Sequence, residues 1–446
     1  MIGLCRRLGP GPGRSGMGQA RGEASMPRRS AHMRGRSWLA VKFLAAPLFA
    51  GLLFAATHAG AAEVVQIAYI DPLSGPFAST GQLGEEHFRF AIDRVNAVEA
   101  AGPGRRFELV AMDNEVNPEK SLTLLRKAID GGIHYITQGN GSSVAFALSD
   151  AVAKNNRRDP THAVVYLNYA AVDPGLTNGK CNWWHFRFDA DSDMKMKALA
   201  SYLVGRADIH KVYIFNPDYS FGQSVEKAAI AMIGNQRPDL TIVGVERVPL
   251  GKVTDFTPYI AKMRAAGADA VVTGNWGADL TLLVKAAADT GFNATFFTYY
   301  LGARETVQAV GMAGKGDAQI SEWHENVDAP AIDEMAAAFN AKYHENFYYW
   351  RVVDMIDTLA AAMKEAGSAD PLKVSRVLSG MKFSTPLGAE EIRADNHQLL
   401  QPMYISVLAP DMPHMFPGVP LGFKTIKRFD AEATRLPTTC SLKAPD

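Results

Sequence analysis

Cysteine is scarce in this chain: three in 446 residues, at positions 5, 181 and 440. That excludes a disulfide-built scaffold, and the lack of a C-x-x-C pair or a His/Cys cluster removes the usual zinc signatures. Long apolar runs are scarce too. The uncharged stretch "FLAAPLFAGLLFAA" (43–56) has no second of its kind, so the body of the chain reads as soluble. A basic surplus is missing. The formal net charge is zero, but residues 1–61 hold nine Lys and Arg against one acid, Glu23. The remainder carries 37 basic and 45 acidic residues, a balance of about −8. An acidic body does not suit nucleic acid, which needs a basic surface.

Catalytic signatures are absent as well. "GNGSSV" (139–144) has Val144 where a dinucleotide fingerprint needs glycine. Gly314-Lys315 is followed by Gly316, which excludes a phosphate-cradling Walker sequence. His324-Glu325 and His344-Glu345 stand alone and read as surface pairs, and no G-x-S-x-G elbow occurs. The acidic run Asp189 to Asp193 precedes a helical pattern. It reads as capping and dipole complementarity ahead of a metal site.

The first 61 residues read as an export signal. Arg34, Arg36 and Lys42 form a basic flank, residues 43–56 an apolar core, and Ala59-Gly60-Ala61 a small-x-small cleavage site. Cleavage there leaves Ala62 first in a mature chain of 385 residues; a retained membrane anchor is the alternative. Initiation at Met1, Met26 or Met33 stays open. Cys181 and Cys440 remain after cleavage. An exported chain can bridge them, and two free thiols are the alternative.

What is present is alternation. Apolar runs at 64–70, 107–113, 133–136, 163–168, 211–216, 240–248, 269–274 and 295–300 read as strands, with helical spacing between them. Phe88, Ala91, Ile92 and Val95 mark one helix face. Asn117-Pro118 starts a second helix and Gly131-Gly132 stops it. The theme runs once over about 63–188 and again over 189–321, then turns helical at 332–381 and mixed at 382–446. This predicts α/β architecture with parallel sheets flanked by helices, in two lobes.

In such sheets ligands bind beyond the carboxyl ends of strands. The junctions there are rich in small, hydroxyl and aromatic residues: "DPLSGPFASTG" (71–81), "QGNGSS" (138–143), "LNYAAVD" (167–173), "NPDYSFG" (216–222), "TGNWGAD" (273–279) and "TYYLGA" (298–303). Ser142 and Ser143 stand where a helix begins. They read either as N-capping residues or as donors to an anion on the helix terminus. Tyr169, Tyr219, Phe221, Trp276, Tyr299 and Tyr300 fall at neighbouring junctions, where aromatics commonly line small-ligand clefts.

"IAYIDPLSGPFASTGQLGEEHFRFAIDRVNA" (67–97), "DYSFGQSV" (218–225) and "DFTPYIAKMRAAGADAVVTGNWGADLTLLVKAAADTG" (255–291), with the export signal, resemble the leucine/isoleucine/valine-type periplasmic binding proteins, substrate receptors of ABC importers. The resemblance spans about 63–430. It implies the type I two-lobed fold with a ligand cleft between lobes: 62–188 with 322–400 as one lobe, 189–321 with 401–446 as the other. It also implies ligand contacts at Thr80, Ser142, Ser143, Tyr169, Ala170, Val172, Phe221, Trp276 and Tyr300. Ser142 would receive a carboxylate, and Ala170-Ala171-Val172 would supply the contacts of the family's "AAT". The family's ammonium-pairing acid falls near Tyr300. Neither Val172 nor Tyr300 can replace the family's acceptors, so Asp173, Asp218 or Asp279 would have to substitute, or the ligand is a carboxylate or amide without an amine. The implied partners are a small molecule and inner-membrane permease subunits, with no cofactor, no catalysis, a monomeric state and a periplasmic location. A ligand-sensing receptor on the same fold and an exported hydrolase are the alternative functions.

Overall fold

The computed structural model describes residues 62–445; the export signal lies outside them. Alternating strand and helix appear as the spacing predicts. The first block contains β1 (Glu63–Asp71), α1 (Ala78–Ala97), β2 (Arg105–Asp113), α2 (Pro118–Asp130), β3 (Tyr135–Gln138), α3 (Ser142–Arg158), β4 (Val165–Asn168) and β5 (His185–Arg187). Its five strands pair in the order β2-β1-β3-β4-β5, all parallel. Asn117 caps α2 by accepting the Lys120 N–H at 2.9 Å, and Gly131 ends it, as the sequence indicates.

The second block runs through α4 (Ser192–Leu203), β6 (Lys211–Pro217), α5 (Ser220–Gln236), β7 (Thr241–Val248), α6 (Thr257–Ala265), β8 (Ala270–Thr273), α7 (Gly277–Asp289), β9 (Thr295–Thr298), α8 (Arg304–Val310) and β10 (Ala318–Ser321). The chain then adds α9 (Pro330–Tyr343), α10 (Trp350–Ala366) and α11 (Pro371–Leu378), and five strands: β11 (Lys382–Thr385), β12 (Gly388–Ile392), β13 (Leu399–Leu400), β14 (Met403–Ala409) and β15 (Gly422–Phe429). The second sheet has the order β15-β14-β10-β9-β8-β6-β7; β14 and β15 run antiparallel at its edge. Strands β11 to β13 form a small antiparallel sheet of their own.

Three core clusters follow from this connectivity. One joins the first sheet to the late helices: Tyr69, Phe88, Leu148 and Phe186 pack in the same cluster as Phe339, Met355 and Leu359. The others cover the two faces of the second sheet, with Ile214, Val272 and Ile405 on one and Phe215, Val271 and Leu283 on the other. The chain crosses between the sheets near 188–191, 322–329 and 400–402. Short polar contacts tie these crossings together. Arg187 donates to the Asp173 carbonyl at 2.6 Å and to Asp191 at 3.0 Å, and Gln401 donates to the Phe188 carbonyl at 2.8 Å.

The acidic run has a divided role. Asp191 caps α4 through the Met194 N–H at 2.8 Å, as its position suggests. Asp189 is instead fully buried and bound to Lys195 at 2.8 Å. The last residues return to the first block. Thr438 donates to the Thr177 carbonyl at 2.9 Å, and Cys440 is bonded to Cys181 with their Cα atoms 5.8 Å apart.

The bridge closes a loop of 259 residues, long enough for a large entropic constraint on the unfolded chain. Cys181→Ser with Cys440→Ser should lower stability by about 2–5 kcal/mol in chemical denaturation. Thiol titration of the denatured, exported protein should find no free thiol without reductant and two with it.

Candidate functional site

A cleft lies where the carboxyl ends of both parallel sheets face each other. The polarity of parallel strands decides what lines it. Strands β1, β3, β6, β8 and β9 end at the cleft and the helices that follow them begin there, so helix N-termini and their N–H groups gather at one place. Six helices contribute their first turns: α1, α3, α5, α7, α8 and α10. None has a side-chain cap. Of the helices that start elsewhere, α2, α4 and α11 are capped by Asn117, Asp191 and Asp370, while α6 and α9 carry no side-chain cap. Uncapped N–H groups with aligned helix dipoles favour an anion.

The α3 terminus is the most developed of these. Gly141 stands before it at φ +94, and a β-carbon there would lie 2.8 Å from Val116. Only glycine fits that turn. Ser142 is the first helical residue, not the cap, so the capping reading of the serine pair is wrong for this helix. Its Oγ accepts the Asp173 N–H at 3.3 Å. The hydroxyl keeps its own proton to donate, and Ser142 lines the cleft. Ser142 is 2% exposed.

Beneath this turn lies a buried polar network. Asp71, at the end of β1, accepts the Gly139 N–H at 3.1 Å and the Asn140 N–H at 3.0 Å. Asn140 Nδ2 donates to Tyr169 Oη at 2.9 Å. That hydroxyl is 3.2 Å from Tyr69 Oη, which donates to the Gly81 carbonyl at 2.6 Å. The first turn of α1, at Thr80, and the Gly139–Ser142 turn thus rest on one support. Burial pushes the Asp71 carboxyl up to about 7, against the opposing pull of the hydrogen bonds it accepts.

Aromatic rings form the opposite wall. Trp276 donates Nε1–H to Tyr219 Oη at 2.8 Å and packs on Phe77 with ring centroids 4.3 Å apart. Phe221 and Tyr300 are 6.2 Å apart, and Tyr300 Oη reaches 3.4 Å from the Ala170 carbonyl of the first block. Ser79 meets Glu305 at 3.3 Å. These contacts bridge the two blocks, so the cleft is shut.

Of the residues singled out from sequence, Thr80, Ser142, Ala170, Val172, Phe221, Trp276 and Tyr300 line the cleft. Ser143 and Tyr169 are not among its lining residues. Ser143 follows Ser142 into α3, and Tyr169 is buried in the network below. The three acids offered as ammonium partners are engaged elsewhere. Asp173 accepts the Gly175 N–H at 2.8 Å, Asp218 pairs with Arg247 at 3.1 Å, and Asp279 accepts the Gly251 N–H at 2.9 Å. The acid that does line the cleft is Glu305, in the first turn of α8.

Tyr348, Tyr349 and Arg351 were missed because α10 does not follow a parallel strand, so the junction rule passes over it. The signal is "YYWR" (348–351), three aromatics and an arginine opening an apolar helix. Arg351 is buried. It donates to Glu322 at 2.6 Å, and its guanidinium carbon sits 4.7 Å from the Tyr349 ring centroid. Burial opposes its charge, but Glu322 and Asp189 more than offset that and hold its pKa above the ordinary value. Among the described residues, no group of three or more His, Cys, Asp or Glu is placed to hold a metal ion.

Residues 64–411 match the family model described as periplasmic binding protein. The chain belongs to the periplasmic binding protein family. Among similar proteins is the Leu/Ile/Val-binding protein homolog 4 of Brucella abortus, 30% identical over 419 residues, covering 90% of this chain and 99% of that one. The crystal structure of a leucine-, isoleucine-, valine-, threonine-, and alanine-binding protein from Brucella ovis, in its closed conformation, is 28% identical with a TM-score of 0.77. It covers 86% of this chain and 100% of that one. A solute-binding protein of an ABC transporter from R. palustris, in complex with 4-hydroxybenzoate, shares the fold at 20% identity and a TM-score of 0.71, over 82% of this chain and 97% of that one. The two-lobed α/β architecture read from the sequence is that of this periplasmic binding protein.

The ion pairs behind the cleft wall give a stability test. Arg351→Ala would strand Glu322 in a buried setting and should cost about 3–5 kcal/mol in denaturant unfolding. Arg351→Lys, which keeps the charge, should recover part of that loss.

Proposed function

We propose that this chain is the periplasmic solute-binding component of an ABC importer, and that it binds a small carboxylate, an amino acid or a close analogue. The observation that carries the ligand class is the uncapped α3 terminus at Gly141–Ser142, held open by glycine geometry and facing an otherwise aromatic cleft. A carboxylate there satisfies N–H groups that no side chain serves. Aromatic walls at Trp276, Phe221 and Tyr300 then enclose an apolar or aromatic body. The relatives' names point the same way, covering aliphatic amino acids and a hydroxybenzoate.

The working cycle is hinge closure. The ligand docks on the lobe formed by 62–188 with 322–400. The lobe formed by 189–321 with 401–446 closes over it, and the last residues strap back to the first lobe through Cys440. Closure buries the ligand and sets the two lobe faces for permease subunits, without making or breaking a covalent bond. The protein acts as a monomer, delivered by a signal cleaved near Ala61.

The test is a thermal-shift panel on residues 62–446 with leucine, isoleucine, valine, other amino acids, benzoates, aliphatic carboxylates and short amides. A ligand at about 100 times its dissociation constant should add roughly 2.7 kcal/mol. Ser142→Ala should weaken the best ligand by about tenfold or more, the loss expected for a hydrogen bond to a charged group. Trp276→Ala should weaken it by at least as much, with the fold kept in both. Unchanged affinity in both variants rejects the cleft; stabilisation by amides alone rejects the carboxylate.

A further inference from the structure

The support under the ligand turn contains a group that ordinary packing does not call for. Asp71 is fully buried at the end of β1, yet among the described residues no Lys or Arg pairs with it. The nearby cations are taken. Lys120 is bound to Asp113 and Glu115, Arg187 to Asp191, and Arg351 to Glu322. Phenols surround the carboxyl instead: Tyr69 on its own strand, Tyr166 on β4, Tyr169 after β4 and Tyr349 before α10 all feel its charge. Asp113 on β2 is its register partner, turned outward into the Ser74 and Lys120 contacts, and Glu85 lies on α1. Its two oxygens accept consecutive backbone N–H groups, those of Gly139 and Asn140. The next residues along the chain, Gly141 and Ser142, line the cleft.

We propose that Asp71 is a positioning residue of the binding site: it fixes the Gly139–Ser142 turn for the ligand and couples capture of an anion to uptake of one proton. This rests on the carboxylate reading above. The physical reason is direct. An ionised Asp71 and a ligand carboxylate would share one buried turn, Asp71 on the Gly139 and Asn140 N–H groups and the ligand at Ser142. Like charges so placed disfavour each other's ionised forms. The ligand anion therefore favours the protonated carboxyl, and linkage requires that protonation favour the ligand in return. Loss of water around the carboxyl already places its transition at about 7, where a small bias changes occupancy. A protonated Asp71 still offers acceptors to the two N–H groups, so the turn keeps its shape.

The sign is fixed by this argument. Affinity for the anion is greatest below the transition and falls as pH rises through it. If only the protonated form binds, the dissociation constant rises roughly tenfold between pH 6 and pH 8. Leucine and benzoate serve as probes, since both keep one full carboxylate charge over that range and only leucine carries an amine.

The experiment is titration calorimetry of the mature protein at pH 6, 7 and 8 with each probe, in two buffers of different ionisation enthalpy. The expected result for the probe that binds is a fall in affinity approaching tenfold and uptake of up to one proton per ligand at pH 8. Asp71→Asn should bind with a flat pH profile and take up no proton at this group. Flat wild-type affinity with no proton uptake overturns the proposal while leaving the carboxylate reading intact. An unchanged slope in Asp71→Asn also overturns it. If that variant does not fold, Tyr169→Phe, which keeps the ring and removes a phenol hydrogen bond that favours the ionised Asp71, should move the midpoint of the profile to higher pH; an unmoved midpoint counts against the coupling. Failure of both probes at every pH, while an uncharged amide binds, overturns the carboxylate reading and this inference together.

Discussion

The constraint on which this protein depends is the polarity of its parallel sheets. A strand that runs parallel to its neighbour must be followed by a crossover helix, and that helix starts at the strand's carboxyl end. Two such sheets, with their carboxyl ends facing, bring five helix N-termini to one cleft, and α10 adds a sixth. Each brings unpaired N–H groups and a fractional positive charge. Elsewhere Asn117, Asp191 and Asp370 cap three helices, and α6 and α9 start without a side-chain cap. At the cleft the chain uses Gly141, Tyr219, Trp276, Ala303 and Tyr349, none of which supplies a capping bond. The field at the cleft is thus a product of topology, and the side chains around it leave that field available.

Such a site must be held rigid, and the means are buried polar groups. Asp71, Asn140, Tyr169 and Tyr69 bind the first turn of α1 and the Gly139–Ser142 turn to one another. Behind the aromatic wall, Asp189, Lys195, Glu322 and Arg351 form a nearly water-free set of two acids and two bases, with Lys195 4.8 Å from the Tyr300 ring centroid. Asp189 follows β5 and Glu322 follows β10, so both stand at points where the chain passes between the sheets. Buried pairs of this kind contribute little net stability but are costly to break. They fix the crossings in one geometry and with it the relation of the two walls.

Much of this was legible in the sequence because period and punctuation carry it. The alternation of short apolar runs with helical spacing gave the order of strands and helices, and Asn117-Pro118 and Gly131-Gly132 set the ends of α2. The short strands β5 and β10 were not legible: "HFR" and "AQIS" mix polar with apolar residues and form no apolar run. The antiparallel edge strands β14 and β15 were read only as mixed structure. At the site, the strand-end rule found Ser142, Val172, Phe221, Trp276 and Tyr300. It also named Tyr169, because a sequence cannot tell a ring facing the cleft from one packed under it. It passed over Arg351, whose helix follows a loop, and Asp71, whose position at the end of a strand looks like ordinary turn chemistry. Glu305 was hidden because the expected acid was sought five residues earlier, at Tyr300.

The central claim is that a ligand carboxylate sits on the uncapped start of α3. The most direct measurement is a crystal structure of the mature chain with the carboxylate that stabilises it most. The account predicts that carboxylate within hydrogen-bond reach of the Ser142 hydroxyl and the first N–H groups of α3, with the rest of the molecule against Trp276 and Phe221. A ligand whose carboxylate turns away from this terminus, towards Arg351 or out of the cleft, would contradict it.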